Sequence, residues 1–190
     1  MGKGTVKITI AASDIARLKK AIEDTGRSLR KELVIATNYT AGESKKIIAK
    51  QIYQEINATQ ANIKKVIEIT RRAKEGDISA TVEVNKDKRL NLSSFAARQT
   101  KKGVSYKVSR GTKGKTKVGN AFIVTKYGGR VYVRQGTTRG PIRQLRGPSA
   151  WGVFVVGKKQ GPSVAETEAE LKKQIDRRIR FIELKASGAI

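Results

Sequence analysis

The chain has 190 residues, with 41 Lys and Arg against 16 Asp and Glu, for a net charge of +25. It contains neither Cys nor His, which removes disulfides, thiolate chemistry, the commonest general base and the commonest metal ligand. The length suits one domain with a real core. The charge excludes an ordinary soluble surface, because such a chain repels itself unless nucleic acid, an anionic membrane or an acidic subunit lies against it.

The opening MGKGTVKITIAASD lacks the continuous apolar stretch of a signal peptide. No run approaches the roughly eighteen apolar residues of a membrane span. Residues 5–10 alternate and predict a first strand. Ser13 stands where a helix N-cap belongs. The apolar positions Ile15, Leu18, Ile22, Leu29, Leu33 and Ala36 then recur at three- and four-residue steps, one face of a helix. Gly26 interrupts this face at a cost of about 1 kcal/mol relative to Ala, which predicts one long helix with a bend. Arg17, Lys19, Lys20, Arg27, Arg30 and Lys31 occupy its other side. Gly42 punctuates the chain before a second stripe, Ile47, Ile48, Ile52 and Ile56, over about 43–55.

Thr59 predicts a cap for a short helix through Val66. Residues 67–72 suit a helix tail or a strand equally. The turn chemistry of Glu75-Gly76-Asp77 precedes an alternating strand over 78–84. A short strand is expected over 89–92, one helical turn over 94–98 and a strand over 103–109. RGTKGKTKVG, residues 110–119, is dominated by Gly, Thr and Lys and reads as a mobile basic loop.

Two β-rich runs, 121–127 and 130–134, flank Gly128-Gly129. A Gly-Gly link is a strong hairpin signal, since both turn positions need positive φ. A third run, 142–145, follows Gly140-Pro141, and Gly147-Pro148 leads to Ser149, a candidate N-cap. Phe122, Tyr127, Tyr132, Trp151 and Phe154 gather here and are expected to carry much of the core. Beyond the break GKKQGPS, Ser163 and Glu166 have capping-box spacing. They predict a helix to about Lys185. Glu166, Glu168 and Glu170 come first and the cations later, the order the helix dipole favours. Its stripe is Leu171, Ile175, Ile179 and Ile182.

These elements predict an α+β fold, read as a single domain over 1–190. Residues 1–75 form a helical region with a first strand. Residues 76–154 form a β-rich core around a small, mainly antiparallel sheet, and 160–190 a long C-terminal helix and tail.

Three segments of the middle carry a likeness: LNLSSFAARQTKKGV at 90–104, GNAFI at 119–123 and PIRQLRGPS at 141–149. In this order they resemble the phage minor tail protein Z family, the tail-completion proteins of lambda-like tailed phages. The likeness spans 89–154. The family's C-terminal helix often ends in a His-containing segment, which this chain lacks. The resemblance implies a structural protein of the virion, assembled in the host cytoplasm. It would finish the head-proximal end of the tail tube for joining to a DNA-filled head. Implied partners are other tail and neck proteins (tail terminator or tube, head connector), further copies of the chain in a ring, and double-stranded genomic DNA.

No catalytic, metal or cofactor site is expected. Gly111-Thr-Lys-Gly114-Lys115-Thr116 ends as a P-loop does, but Ser109 stands where the pattern needs Gly and no helical run follows. A hairpin tip is the plainer reading, with Lys113, Lys115 and Lys117 as candidate contacts to DNA phosphate or an acidic partner. Arg130, Arg134, Arg139, Arg143 and Arg146 run through the second hairpin and its exit. Alternation puts Arg130, Tyr132 and Arg134 on one face and Val131 and Val133 on the other. Such a face suits a nucleic-acid backbone, with Tyr132 to stack a base; the bland reading is a solvated or subunit-facing sheet. Nothing resembles a base-reading helix. The carboxylates form no paired set for acid–base work.

Three functions therefore stand: a tail-completion protein, a free nucleic-acid-binding protein that recognises phosphate without sequence specificity, and a membrane-surface protein. The last is disfavoured because the first helix has no Trp or Phe on its apolar face.

Overall fold

The computed structural model describes residues 4–23, 28–111, 113–136 and 139–189. It is α+β, with long helices toward both ends and small antiparallel sheets between. In chain order the first half holds β1 (Thr5–Ile8), α1 (Ala12–Ile22), α2 (Leu29–Glu55), α3 (Gln60–Lys64), β2 (Ile67–Arg71), β3 (Ala80–Val84), β4 (Arg89–Asn91) and β5 (Arg98–Thr100). The second holds β6 (Gly103–Tyr106), β7 (Thr116–Gly119), β8 (Ala121–Val124), β9 (Arg130–Arg134), β10 (Ile142–Gln144), β11 (Arg146–Ser149), α4 (Ala150–Val155) and α5 (Gln160–Ala186). Contacts divide the chain into two compact units: unit one is 1–48, 67–83 and 159–190, and unit two is 49–66 and 84–158.

In unit one, α1, α2 and α5 surround a core of Leu18, Ile22, Leu33 and Ile182, with Ile10, Ile15, Leu29, Ile78 and Ile179 packed against it. Full burial of each such side chain contributes about 1.5–3 kcal/mol. α2 and α5 run antiparallel: Glu32 meets Arg178, and the Ser44 and Thr167 hydroxyls lie 3.0 Å apart. The approach is close because α2 turns small side chains inward. Thr37 and Thr40 return their hydroxyls to the Leu33 and Ala36 carbonyls, at 2.8 and 2.9 Å, so neither threonine hydroxyl is stranded. A sheet of order β1-β3-β2 completes the unit, with Val6 of β1 opposite Val82 of β3.

Four expectations are corrected here. The helix pattern over 15–36 is two helices, α1 ending at Ile22 and α2 beginning at Leu29; Gly26 and Arg27 lie outside the described residues. Gly42 does not end a helix but lies inside α2, where Ala41, Ser44 and Ile48 are fully buried. That burial outweighs the cost of one helical Gly. Ser13 does not cap α1, which starts one residue earlier behind Ala11 without a side-chain cap. Ser163 does not cap α5. That helix starts at Gln160 and takes Pro162 into its first turn, where the missing N–H is harmless. Ser163 is buried, and its hydroxyl has no partner among the described residues. The ambiguous segment 67–72 resolves as β2.

Unit two starts with the last turns of α2 and with α3, whose predicted cap holds: Thr59 Oγ1 accepts from the Asn62 N–H at 3.4 Å. Three small sheets follow, with orders β11-β4, β5-β6-β7 and β10-β9-β8. The predicted hairpin is present, with Gly128 and Gly129 at φ +70° and +68°. Its link is longer than two residues, because Thr125–Tyr127 forms a 3₁₀ turn before the glycines. The basic loop over 110–119 is shorter than expected, since β7 claims Thr116–Gly119 and sets Val118 opposite Val104. The helical turn expected over 94–98 is a 3₁₀ turn over Leu92–Ser94; Ala96 is left-handed at φ +51° and Arg98 opens β5. The strand expected over 103–109 stops at Tyr106.

The aromatic core also differs. Phe95 and Phe154 are fully buried, whereas Phe122, Tyr132 and Trp151 are half-buried and Tyr127 is exposed. Ile52, Ile63, Leu90, Leu92, Val104 and Val131 fill the rest of the interior of unit two.

Candidate nucleic-acid interface

The net charge is divided very unevenly. Unit two holds 21 Lys and Arg against 2 Asp and Glu, a net +19, and unit one holds 20 against 14, a net +6. Glu55 and Asp87 are the acids of unit two. Ion pairs soften unit one: Arg17 with Asp176 at 2.8 Å, Lys173 with Glu170 at 3.5 Å, and Arg178 with Glu32. Unit two has too few carboxylates to do the same, so its field must be met from outside the chain or by salt.

The sheet of β8, β9 and β10 orders part of that charge. On β9, Val131 is fully buried while Arg130 and Arg134 are exposed, as the alternation requires. Tyr132 lies between the two arginines on the same face, opposite Phe122 of β8 and Gln144 of β10. Its ring already has neighbours: Phe122 stacks on it at 6.4 Å and Tyr127 meets it edge-on at 5.8 Å. The Arg134 guanidinium lies 5.1 Å from the Phe122 ring centroid and donates to the Arg139 carbonyl at 2.7 Å. This face is an aromatic cluster roofed by a cation.

The remaining candidates are scattered. Arg143 pairs in register with Val133, which puts it on the other face of the sheet from Tyr132. Lys113 and Lys115 belong to the turn between β6 and β7, and Lys117 is on β7 opposite Ser105. Arg146 opens β11, in a different sheet. It nonetheless shares a cleft of about 500 Å³ with Arg130.

That cleft brings in three cations the sequence reading passed over: Lys65, Lys88 and Arg89. Asp87 is the single acid on its wall among the described residues. Among the described residues no carboxylate pairs with Lys65, Arg89, Arg130 or Arg146. Two amide contacts stiffen the wall: Gln144 Nε2 donates to Asn91 Oδ1 at 2.9 Å and Asn62 Nδ2 to Ser94 Oγ at 3.1 Å. In the sequence Lys64-Lys65 and Lys86-Asp87-Lys88-Arg89 are separate basic runs, and only folding joins Lys65, Lys88 and Arg89 to Arg130 and Arg146.

Gln99 was also missed. Its Oε1 accepts from the Ile123 N–H at 2.9 Å and its Nε2 donates to the Gly103 carbonyl at 3.1 Å, so one side chain ties β8 to the sheet of β5 and β6. Among the described residues no group of acids could hold a metal ion, and no helix is long and apolar enough to cross a membrane. In comparisons with family models, curated proteins and solved structures, nothing matches the chain.

Proposed function

We propose that the chain is a structural tail-completion or neck protein of a tailed bacteriophage. It finishes the head-proximal end of the tail tube for head–tail joining, with unit two facing DNA or acidic neighbouring subunits. The observation that carries the need for such a partner is the net +19 gathered in one compact unit with two acids. The motif resemblance over 89–154 supplies the place, and it falls inside the same unit. The working form is an oligomer, a ring about the tube axis by analogy with other neck components. The role is mechanical, with no chemistry at the joint. Tails purified from phage lacking this chain should fail to join heads and should recover when the protein is added. Tails that join and infect without it overturn the proposal.

The charge division supports a second reading as well, a free nucleic-acid-binding protein that grips phosphate without reading sequence. Co-sedimentation separates the two. The protein should travel with assembled tails and not with ribosomes or bulk nucleic acid.

A further inference from the structure

We infer that the cleft of unit two walled by Lys65, Lys88, Arg89, Arg130 and Arg146 is a seat for the phosphodiester backbone of duplex DNA. The inference rests on the proposed function in one respect, that unit two meets a polyanion; it adds which polyanion and where.

Three features select this ligand. The first is charge: five cations and one acid, Asp87, share a single concavity. A lone surface lysine is fully hydrated, whereas cations converging on one volume create a potential that only an anion relieves. The second is size, since about 500 Å³ is more than one phosphate group fills and suits consecutive phosphates along a strand. The third is what the wall lacks. Its neutral polar groups are amides and a hydroxyl already bonded to one another, Gln144 to Asn91 and Asn62 to Ser94. Among the described residues no aromatic ring lines it. A single-strand site needs rings on which bases stack, and a base-reading site needs free amides or arginines presented on an element that enters a groove. This cleft offers charge on short strands and stiff walls, the equipment of backbone contact.

The arginines are held by paired strands, not by loose ends. Arg130 is in register with Val124, and Arg146 with Asn91. Both guanidinium stems therefore start from hydrogen-bonded backbone, which reduces the ordering cost on binding.

The test is fluorescence anisotropy of the full chain with a random-sequence DNA duplex over a salt series. Arg130→Gln/Arg146→Gln and Lys88→Gln/Arg89→Gln should each weaken binding by on the order of tenfold at low salt. Each should lower the salt slope by about one per side chain removed. Lys113→Gln/Lys115→Gln/Lys117→Gln, which removes more charge outside the cleft, should weaken it less than either pair. Far-UV circular dichroism spectra of all variants, matched to the parent, keep folding out of the comparison.

If the parent binds duplex with a steep salt slope but the cleft pairs bind as the parent does, the cleft assignment is wrong and the polyanion reading stands. If the parent ignores duplex at low salt, the DNA assignment is wrong. The reading of a joint protein then stands or falls on whether tails lacking the chain join heads. Inorganic phosphate at matched ionic strength should leave the duplex bound. Displacement by phosphate would make the cleft a small-anion site and overturn the assignment to a polymer.

Discussion

The Arg110 guanidinium lies 3.8 Å from the centroid of the Tyr53 ring, and its Nε donates to the Tyr53 carbonyl at 2.7 Å. The same Nε reaches the Ile56 carbonyl at 3.1 Å, and the Arg110 backbone N–H meets the Glu55 carbonyl at 3.0 Å. These carbonyls belong to the end of α2, where no intrahelical donor remains. The last turn of α2 has no basic residue of its own, so a residue 57 positions from Tyr53 supplies both the donors and the cation that the helix dipole favours. Arg110→Ala should lower the stability of the chain by about 1–2 kcal/mol. Arg110→Lys keeps the charge but loses the planar fork and should recover less than half of that. Urea unfolding measures both; an unchanged midpoint for Arg110→Ala refutes the capping role.

In unit one the corresponding fastening is ionic. Glu32 is only 5% exposed, and the Arg178 Nε donates to its Oε2 at 2.7 Å while the guanidinium rests 5.1 Å from the Phe181 ring centroid. Removing the arginine leaves a carboxylate in a site water hardly reaches. Arg178→Leu should therefore cost about 3 kcal/mol. Replacing both partners, as Glu32→Met/Arg178→Leu, should return part of the loss, because part of the penalty lies in burying a carboxylate that has lost the Arg178 guanidinium. Denaturant unfolding of the two single variants and the double variant completes the cycle. A double variant as unstable as the sum of the singles would show that the pair acts independently.

Gly147 and Phe95 lie far apart in the sequence but meet inside unit two. A Cβ at position 147 would run into the Phe95 ring, which is fully buried. Gly147→Ala should thus destabilise by about 1–3 kcal/mol through overpacking. Phe95→Leu in the same chain should restore part of the loss by vacating the ring's edge. Thermal melts decide it, and equal melting points for Gly147→Ala and the parent would mean that the ring moves aside freely.

What could be read from the sequence was local. The Thr59 cap, the glycines at 128 and 129, the alternation of Val131 between arginines and the stripe Leu171–Ile175–Ile182 are each decided by residues a few positions apart. What was misread was decided by distant ones. Gly42 stays helical because Ala41, Ser44 and Ile48 are buried around it, and α5 begins early enough to put Ser163 inside rather than at a cap. Phe122 and Tyr127 looked like core and instead form a half-exposed cluster around Tyr132. Of the arginines flagged in the hairpin region, Arg130 and Arg146 line the cleft and Arg143 lies on the other face of its sheet. Lys65 and Arg89 carried no periodic signal at all, since a cleft assembled from α3, β4, β9 and β11 has no period along the chain.

The charge division makes a prediction about the free protein. With 21 cations and two acids, unit two is strained by its own field when no partner is present. Salt shortens the reach of that field, from a Debye length of about 10 Å at 0.1 M to about 3 Å at 1 M. The melting temperature should accordingly rise with sodium chloride, where a chain held by surface ion pairs would fall. Lys113→Gln/Lys115→Gln/Lys117→Gln removes three of the cations and should start from a higher melting temperature at low salt and gain less from added salt. Random duplex should exceed the effect of salt, because a ligand at a hundred times its Kd adds about 2.7 kcal/mol by mass action alone. Differential scanning calorimetry across the salt series provides the measurement. A melting temperature that is flat or falls with sodium chloride would mean that unit two is already neutralised from within, and the need for an anionic partner would disappear.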